Sequence, residues 1–407
     1  MNFLWGASTS SHQIEGGLQN NWTEWEKENS HKLAQNSDRN FSWVPNWHIN
    51  KDYAVLEENY ISGDRINHRK NYIHDVELIK KLGLNAYRFS LEWSMIEPQK
   101  GIYSIEGIDF YKKLIKELKK NGIEPIVTIW HWTIPLWLVE EGGWESKDFP
   151  HYFEGLTRFI VSEIGIDIKY WVTINEPNVV NSLSLGKGEW PPQKRSVISL
   201  IRGTFRLISA HKKSYRVIKD KYPNSSVSIA KNLVHYDDPG LVKKIGRYIT
   251  NDFFINRTKQ HLDYLGINHY FTSSNKLSDR NKYPQSDLGW SISPQFFGEL
   301  LTQSYERYNL PIFILENGLA DREDHQRPTF IKEIFKQINI SLQNDIPIIG
   351  YCHWSLMDNF EWDKGYWPKF GLIEIDKNGI RTIRKSGLLY RDLIKEFNSN
   401  HNFAKEI

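Results

Sequence analysis

The sequence predicts an α/β fold, a single (β/α)8 barrel spanning residues 1–407 as one domain. Three observations predict it. Apolar or β-branched runs alternate with amphipathic stretches eight times along the chain. Helical stretches end on Gly or Asn just before the next apolar run, as at Leu82-Gly83-Leu84-Asn85 and Asn121-Gly122. Glycine there accepts the left-handed conformation that closes a helix. Finally, polar and aromatic residues stop nearly every apolar run at its carboxyl end, where barrel proteins build their sites. A doubly wound open sheet would also alternate strands and helices. The eight units and the polar strand ends favour the barrel.

The strand candidates are residues 3–7, 86–93, 124–131, 170–175, 227–233, 265–270, 312–316 and 348–354. The first leads to Gln13 and Glu15 in SSHQIEGG. The second carries Arg88 and ends near Glu92-Trp93. The third ends in His131-Trp132, and the fourth in Asn175-Glu176 before Pro177. The sixth ends in Asn268-His269-Tyr270, the seventh in Glu316-Asn317-Gly318, the eighth in Trp354. Helical stretches at 72–82, 108–121, 152–164, 198–221, 294–308, 330–343 and 383–397 repeat apolar residues every three or four positions. In 108–121 that face is Tyr111, Leu114, Ile115 and Leu118. Residues 29–67 read as a long irregular loop over one face, rich in Trp and polar side chains; loops of that length tend to be functional.

Composition narrows the function class. The net charge of +3 is too small to imply a nucleic-acid partner. No apolar run reaches membrane-spanning length, and no basic, apolar leader opens the chain, so the expectation is a cytoplasmic protein with no membrane partner. The one cysteine, Cys352, permits no intrachain disulfide and reads as a small core residue. No Cys/His cluster has zinc spacing and no phosphate-cradling glycine motif occurs, so no cofactor or metal is expected. The 16 Trp, 20 Tyr and 20 Phe are numerous enough both to fill a large core and to stack against ligands.

Two strand-end carboxylates, Glu176 and Glu316, would face each other across the barrel mouth. A buried carboxylate is costly unless something pairs with it or uses it. Two of them beside Trp, amide and imidazole groups suit glycoside hydrolysis, in which one acid protonates the leaving oxygen and one carboxylate meets the developing oxocarbenium ion.

These residues sit in blocks that resemble glycoside hydrolase family 1, the β-glucosidase/β-galactosidase family. TINEP (Thr173–Pro177) resembles its acid/base motif and ILENG (Ile314–Gly318) its nucleophile motif. FLWGASTSSHQIEGG, NAYRFSLEWS, HW, LGINHY and YCHWSLMDNFEWDKGYWPKFGL follow in family order, from residue 3 to about 395. The resemblance implies a retaining β-glycosidase with a small-molecule β-glycoside as its partner. It makes Glu316 the nucleophile and Glu176 the acid/base, with Arg88 and Tyr270 orienting Glu316. It gives Asn175 the sugar 2-hydroxyl. Gln13, His131 and Glu361 with Trp362 would read the 3-, 4- and 6-hydroxyls, beside Trp132, and Trp354 would floor the ring. Trp290, in LGW, resembles a residue facing the leaving group. A retaining pair sits about 5–5.5 Å apart. Arg88, His131, Trp354 and Trp362 also have purely structural readings, and Glu15 is read as structural.

The chain departs from the family at Met95, where Arg is common, at Thr133, where Asp is common, and at Lys369, where Arg is frequent. Those departures leave the leaving-group side open. Glu361 and Trp362, with Pro368 and Phe370 in place of a phosphate clamp, imply non-phosphorylated sugars. Glucose, galactose and fucose remain alternatives, as do a transglycosidase and a sugar-binding protein without activity.

Overall fold

The computed structural model describes residues 3–236, 241–273 and 283–402. Eight parallel strands close into a barrel: β1 (Leu4–Ser8), β2 (Ala86–Ser90), β3 (Glu124–Trp130), β4 (Tyr170–Asn175), β5 (Ser226–Asn232), β6 (Leu265–Asn268), β7 (Ile312–Asn317) and β8 (Ile348–Trp354). They pair in chain order, and β1 closes the ring against β8. Strands covered on both faces are apolar throughout; in β4, Tyr170–Asn175, every residue is buried. Inside the barrel, Ile126, Tyr170, Val172, Tyr264, Phe313, Leu315 and Cys352 form a compact core. Outside it, Trp5, Phe89, Ile129 and Trp171 pack in the much larger core that includes the helices.

The register sets up the site. Ser8 pairs with both Trp354 and Arg88. Asn232 pairs with Asn268, and Asn268 with Glu316, so the polar ends of β5, β6 and β7 lie side by side. At the end of β7 the packing is close: a Cβ on Gly318 would lie 1.7 Å from the Trp354 carbonyl oxygen, so no other residue fits there.

The amphipathic stretches form the outer ring. Helix Ile105–Lys120 starts on Ser104, whose side chain accepts the Gly107 N–H, and buries Ile108, Tyr111, Leu114, Ile115 and Leu118. Asn121 caps it and Gly122 takes φ 71°, as the C-terminal signal predicts. β2 ends at Ser90, short of residue 93, because Trp93–Ile96 winds into a helical turn. β6 likewise stops at Asn268.

Residues 29–67 are not an irregular loop. They include the end of helix Asn21–Gln35 and the helices Ser37–Phe41 and Trp47–Ala54. The first of these is opened by an Asn20 capping box. Its buried face carries Thr23, Glu26 and Ser30 among the Trp residues, which hides the apolar period. Glu26 is satisfied inside the protein: it bonds His12 Nε2 at 2.7 Å and accepts from the Ser62 N–H and hydroxyl at 2.8 Å. A second missed element, Leu241–Arg247 with Tyr248–Asp252 and Phe253–Thr258, supplies the helix of the fifth unit. Among the described residues no helix is long and apolar enough to cross a membrane, and no acidic, His or Cys cluster could hold a metal ion.

Glu15 lies buried beneath the strand ends and takes the Tyr111 hydroxyl at 2.9 and 3.1 Å. Burial raises its carboxyl to about 8, with Arg69 opposing and Glu92 adding to the shift. The folded protein therefore keeps this proton up to about pH 8, whereas the unfolded chain loses it near the ordinary value. Folding is penalised increasingly as pH rises from about 4.5 to 8. Glu15→Gln, which retains an acceptor for Tyr111, should raise the melting temperature at pH 8 and change it little at pH 5; thermal melts at both pH values decide it.

Candidate active site

At the carboxyl ends of the strands lies a cavity of about 720 Å³ lined by Glu176, Glu316, Tyr270, His131, Trp132 and Trp354, with Trp290, Glu361 and Trp362. Gln13, Arg88 and Asn175 are not among its lining residues and stand behind them.

Arg88 is fully buried. Its Nη1 donates to Glu316 Oε1, its Nη2 to Asn175 Oδ1 at 2.7 Å and its Nε to Thr128 Oγ1 at 3.0 Å. The Tyr270 hydroxyl donates to the other Glu316 oxygen at 2.6 Å. Glu316 is thus held by one cation and one phenol, each on its own oxygen.

Glu176 has a different surrounding. Its Oε1 accepts from Asn268 Nδ2 at 3.0 Å and Asn232 Nδ2 at 3.1 Å, both neutral amides. Burial first, and the Glu316 charge second, raise its carboxyl to about 7, while the two amides and Lys231 work the other way. Its backbone is left-handed, φ 41°, immediately before the helix that Pro177 starts. Trp132 at φ 79° and Trp362 at φ 50°, also on the cavity wall, share that strained region.

Asn175 is locked between neighbours. Its Oδ1 takes Arg88 and, at 3.2 Å, Asn268; its Nδ2 donates to His131 Nε2 at 3.0 Å. That donation leaves the His131 proton on Nδ1, and burial with the Arg88 charge keeps the ring well below its usual range, hence neutral. Trp132 Nε1 donates to the Asn175 carbonyl at 2.9 Å. The Trp362 ring packs 4.6 Å from Trp132 and 5.9 Å from His131. Trp354 stacks 6.0 Å from His131. Glu361 is half-buried, with its carboxyl raised to about 8 chiefly by burial, and its buried Oε2 has no hydrogen-bond partner in the protein. Gln13 is wholly engaged: its Nε2 donates to Asn359 Oδ1 at 2.9 Å and the Phe360 carbonyl at 2.7 Å, and its Oε1 accepts from the Ser10 hydroxyl. Trp290 lies 5.7 Å from Tyr270, edge to face, and 6.1 Å from Phe370.

Three neighbours of Glu176 were not singled out from the sequence as site residues. Asn268 ends a strand, as read, but carried no assignment. Asn232 ends β5, the strand whose end carried no assignment. Lys231 is fully buried; its ammonium donates to the Asn232 carbonyl at 2.8 Å and to that of Thr250, and burial lowers it to about 7 against the pull of Glu176 and Asp252. A lysine inside an apolar strand was the available signal for it.

Comparison with known proteins agrees with this geometry. The 1,4-beta-D-glucan glucohydrolase of Thermotoga neapolitana is 28% identical over 451 aligned positions, covering 97% of each chain. The solved structure of Fpglu1 from Fervidobacterium pennivoraus has a TM-score of 0.84 at 25% identity, covering 97% of this chain and 95% of that one. The β-glucosidase from Thermotoga maritima, solved with noeuromycin, has a TM-score of 0.81 at 26% identity over 97% of both chains. The family model of glycosyl hydrolase family 1 matches residues 1–240 and 241–399. A barrel matched along nearly its whole length, with two unlike carboxylates at its mouth, leaves one conclusion: the chain belongs to glycosyl hydrolase family 1 and is a glycosidase.

Proposed function

We propose that the protein is a retaining β-glycosidase that removes terminal, non-phosphorylated β-glucosyl residues, with galactosyl and fucosyl residues as the alternatives that share the same hydroxyl-reading side chains. The observation that carries this reading is the unequal treatment of the two carboxylates. Glu316 is paired with Arg88 and Tyr270, whereas Glu176 is buried against amides and raised to about 7.

In this mechanism the Glu316 carboxylate attacks the anomeric carbon as the glycosidic bond breaks. Glu176 gives its proton to the departing oxygen. The product is a glycosyl ester on Glu316 and a free alcohol. Esterification removes the negative charge that had raised Glu176, so its pKa falls and it can accept a proton from water. Water then attacks the anomeric carbon, the ester breaks, and the sugar leaves with its original configuration. Asn175, held by Arg88, Asn268 and His131 behind the cavity wall, would offer the 2-hydroxyl its remaining amide hydrogen. Glu361, with an unpartnered buried oxygen, is available to sugar hydroxyls. Gln13 would have to exchange its bonds to Asn359 and Phe360 to serve that purpose. A transglycosidase would use the same ester with a sugar or alcohol in place of water, and nothing here favours it over hydrolysis. We keep the cytoplasm as the proposed location; the buried Cys352 leaves the fold independent of disulfides.

Proton NMR of a fresh reaction on an aryl β-glucoside should show β-glucose before mutarotation; α-glucose first would remove Glu316 from the nucleophile's role. Glu176→Gln should lower kcat by about 10²–10⁴ on alkyl glycosides. Activated aryl glycosides, whose leaving groups need little protonation, should lose less in the first step. The alkaline limb of kcat/KM should fall near pH 7, where Glu176 loses its proton. Asn268 stabilises the charged form of Glu176, so Asn268→Ala should move that limb to higher pH. A limb that stays fixed or moves down would assign it to another group.

A further inference from the structure

Away from the two carboxylates the cavity wall changes character. It continues along Leu200, Ile201 and Phe205 on helix Val197–Lys221, and is faced by Ile249, Phe253 and Phe254 from the elements after β5. The Phe205 and Phe253 rings meet edge to face at 6.2 Å and join the two sides. Several of these side chains line the cavity and also reach the surface: Ile201 is 52% exposed, Phe205 50% and Ile249 64%. The groove therefore opens outward instead of closing over the sugar. Val197 and Ile198, 71% and 69% exposed, extend it by one helical turn. Residues 197, 201 and 205 fall at four-residue spacing on one helix face, and that face spans roughly 12 Å.

An exposed apolar strip of this size is unfavourable unless it has an occupant. Three polar side chains beside the strip, Asn181, Thr204 and Thr250, are already engaged. Asn181 donates to the Leu200 carbonyl and to Thr204, both at 2.7 Å, and accepts Trp144 Nε1 at 3.1 Å. Thr204 donates to the Leu200 carbonyl, and Thr250 is engaged by the Gly246 carbonyl and the Tyr236 hydroxyl. These three side chains are spent within the protein; Asn178, whose buried Oδ1 is unpartnered, with Lys187 and Glu189 lines the same cavity, and the Arg257 guanidinium lies 3.5 Å over the Phe253 ring, so the hydrocarbon strip is bordered by polar groups.

We propose that the preferred substrate is an amphiphilic β-glycoside whose aglycone is a long hydrocarbon chain lying along this groove. The inference rests on the glycosidase reading and names the leaving group for it. Continuity with the catalytic cavity fixes the occupant as part of the substrate, because a chain in this groove would begin at the oxygen that Glu176 protonates.

The test measures kcat/KM for butyl, hexyl and octyl β-glucosides below their micellar concentrations, beside cellobiose and an aryl β-glucoside. Burying methylenes should raise kcat/KM by at least about tenfold from butyl to octyl, and the octyl glucoside should exceed cellobiose. In the I201D/I249D double variant the octyl-to-butyl ratio should fall to within about twofold, whatever its absolute activity. Phe205→Ser, a milder exposed change, should lower the same ratio. A flat series in the wild-type protein, or a slope that survives both variants, overturns the inference while aryl-glucoside cleavage leaves the glycosidase reading intact. Failure to cleave any of these glucosides removes the glucosyl assignment and moves the same chain-length series to β-galactosides and β-fucosides; failure on all three removes the glycosidase reading and this inference with it. A dimer in light scattering that I201D/I249D dissociates would assign the strip to a second copy of the chain and also overturn the inference.

Discussion

The guanidinium of Arg88 is the constraint on which the site depends. It starts on β2 and binds Thr128 on β3, Asn175 on β4 and Glu316 on β7, so one buried cation ties four strands at their carboxyl ends. A cation with no exposure is tolerable only when fully paired. Its planar fork can reach several acceptors at once, as the compact ammonium of lysine cannot. Removing Glu316 leaves that cation uncompensated, and removing Arg88 leaves Glu316 with only the Tyr270 hydroxyl and Asn175 Oδ1 with only the longer Asn268 bond. Chemistry and barrel integrity are coupled through the same side chain.

A second consequence is that two glutamates in one cavity become unlike acids. Glu316 receives a cation; Glu176 receives only amides and faces the charge of Glu316. Lys231, a buried cation whose charge acts on Glu176, spends its ammonium on two backbone carbonyls and is itself lowered to about 7. Its help to Glu176 is therefore limited near neutral pH. The left-handed backbone of Glu176 adds a local cost that the fully buried β4 and the Pro177 helix hold in place.

The barrel was legible because its strands are apolar on both faces and its helices are apolar on one. The carboxylates and their arginine were legible because polar residues end otherwise apolar runs. Where burial is polar, that signal fails. Helix Asn21–Gln35 buries Glu26 against His12 and Ser62, and its period disappears into what reads as loop. The element after β5 leaves Ile245, Tyr248 and Ile249 exposed while Phe254 and Ile255 are buried, so its apolar residues do not mark one continuous inward face. Gln13 shows another limit. Its position in the chain matches a sugar-reading residue, but hydrogen bonds to Asn359 and Phe360, more than three hundred residues away, are invisible in local sequence.

The departures at Thr133 and Met95 are coherent once Glu92 is considered. That buried carboxylate takes Ser94 at 2.8 Å and Asn20 at 3.2 Å on one oxygen, and Ser11 and Thr133 at 3.0 Å on the other. All four donors are neutral, so the charge is spread over hydroxyls and an amide. An Asp at 133 would set a second carboxylate against Glu92 and would require a cation close by to offset it. Threonine supplies a donor in its place, and no cation is then needed from position 95. The two substitutions alter how the ends of β2 and β3 are held together. They leave His131 on Asn175, and Asn175 on Arg88, so the support behind the carboxylate pair is unchanged.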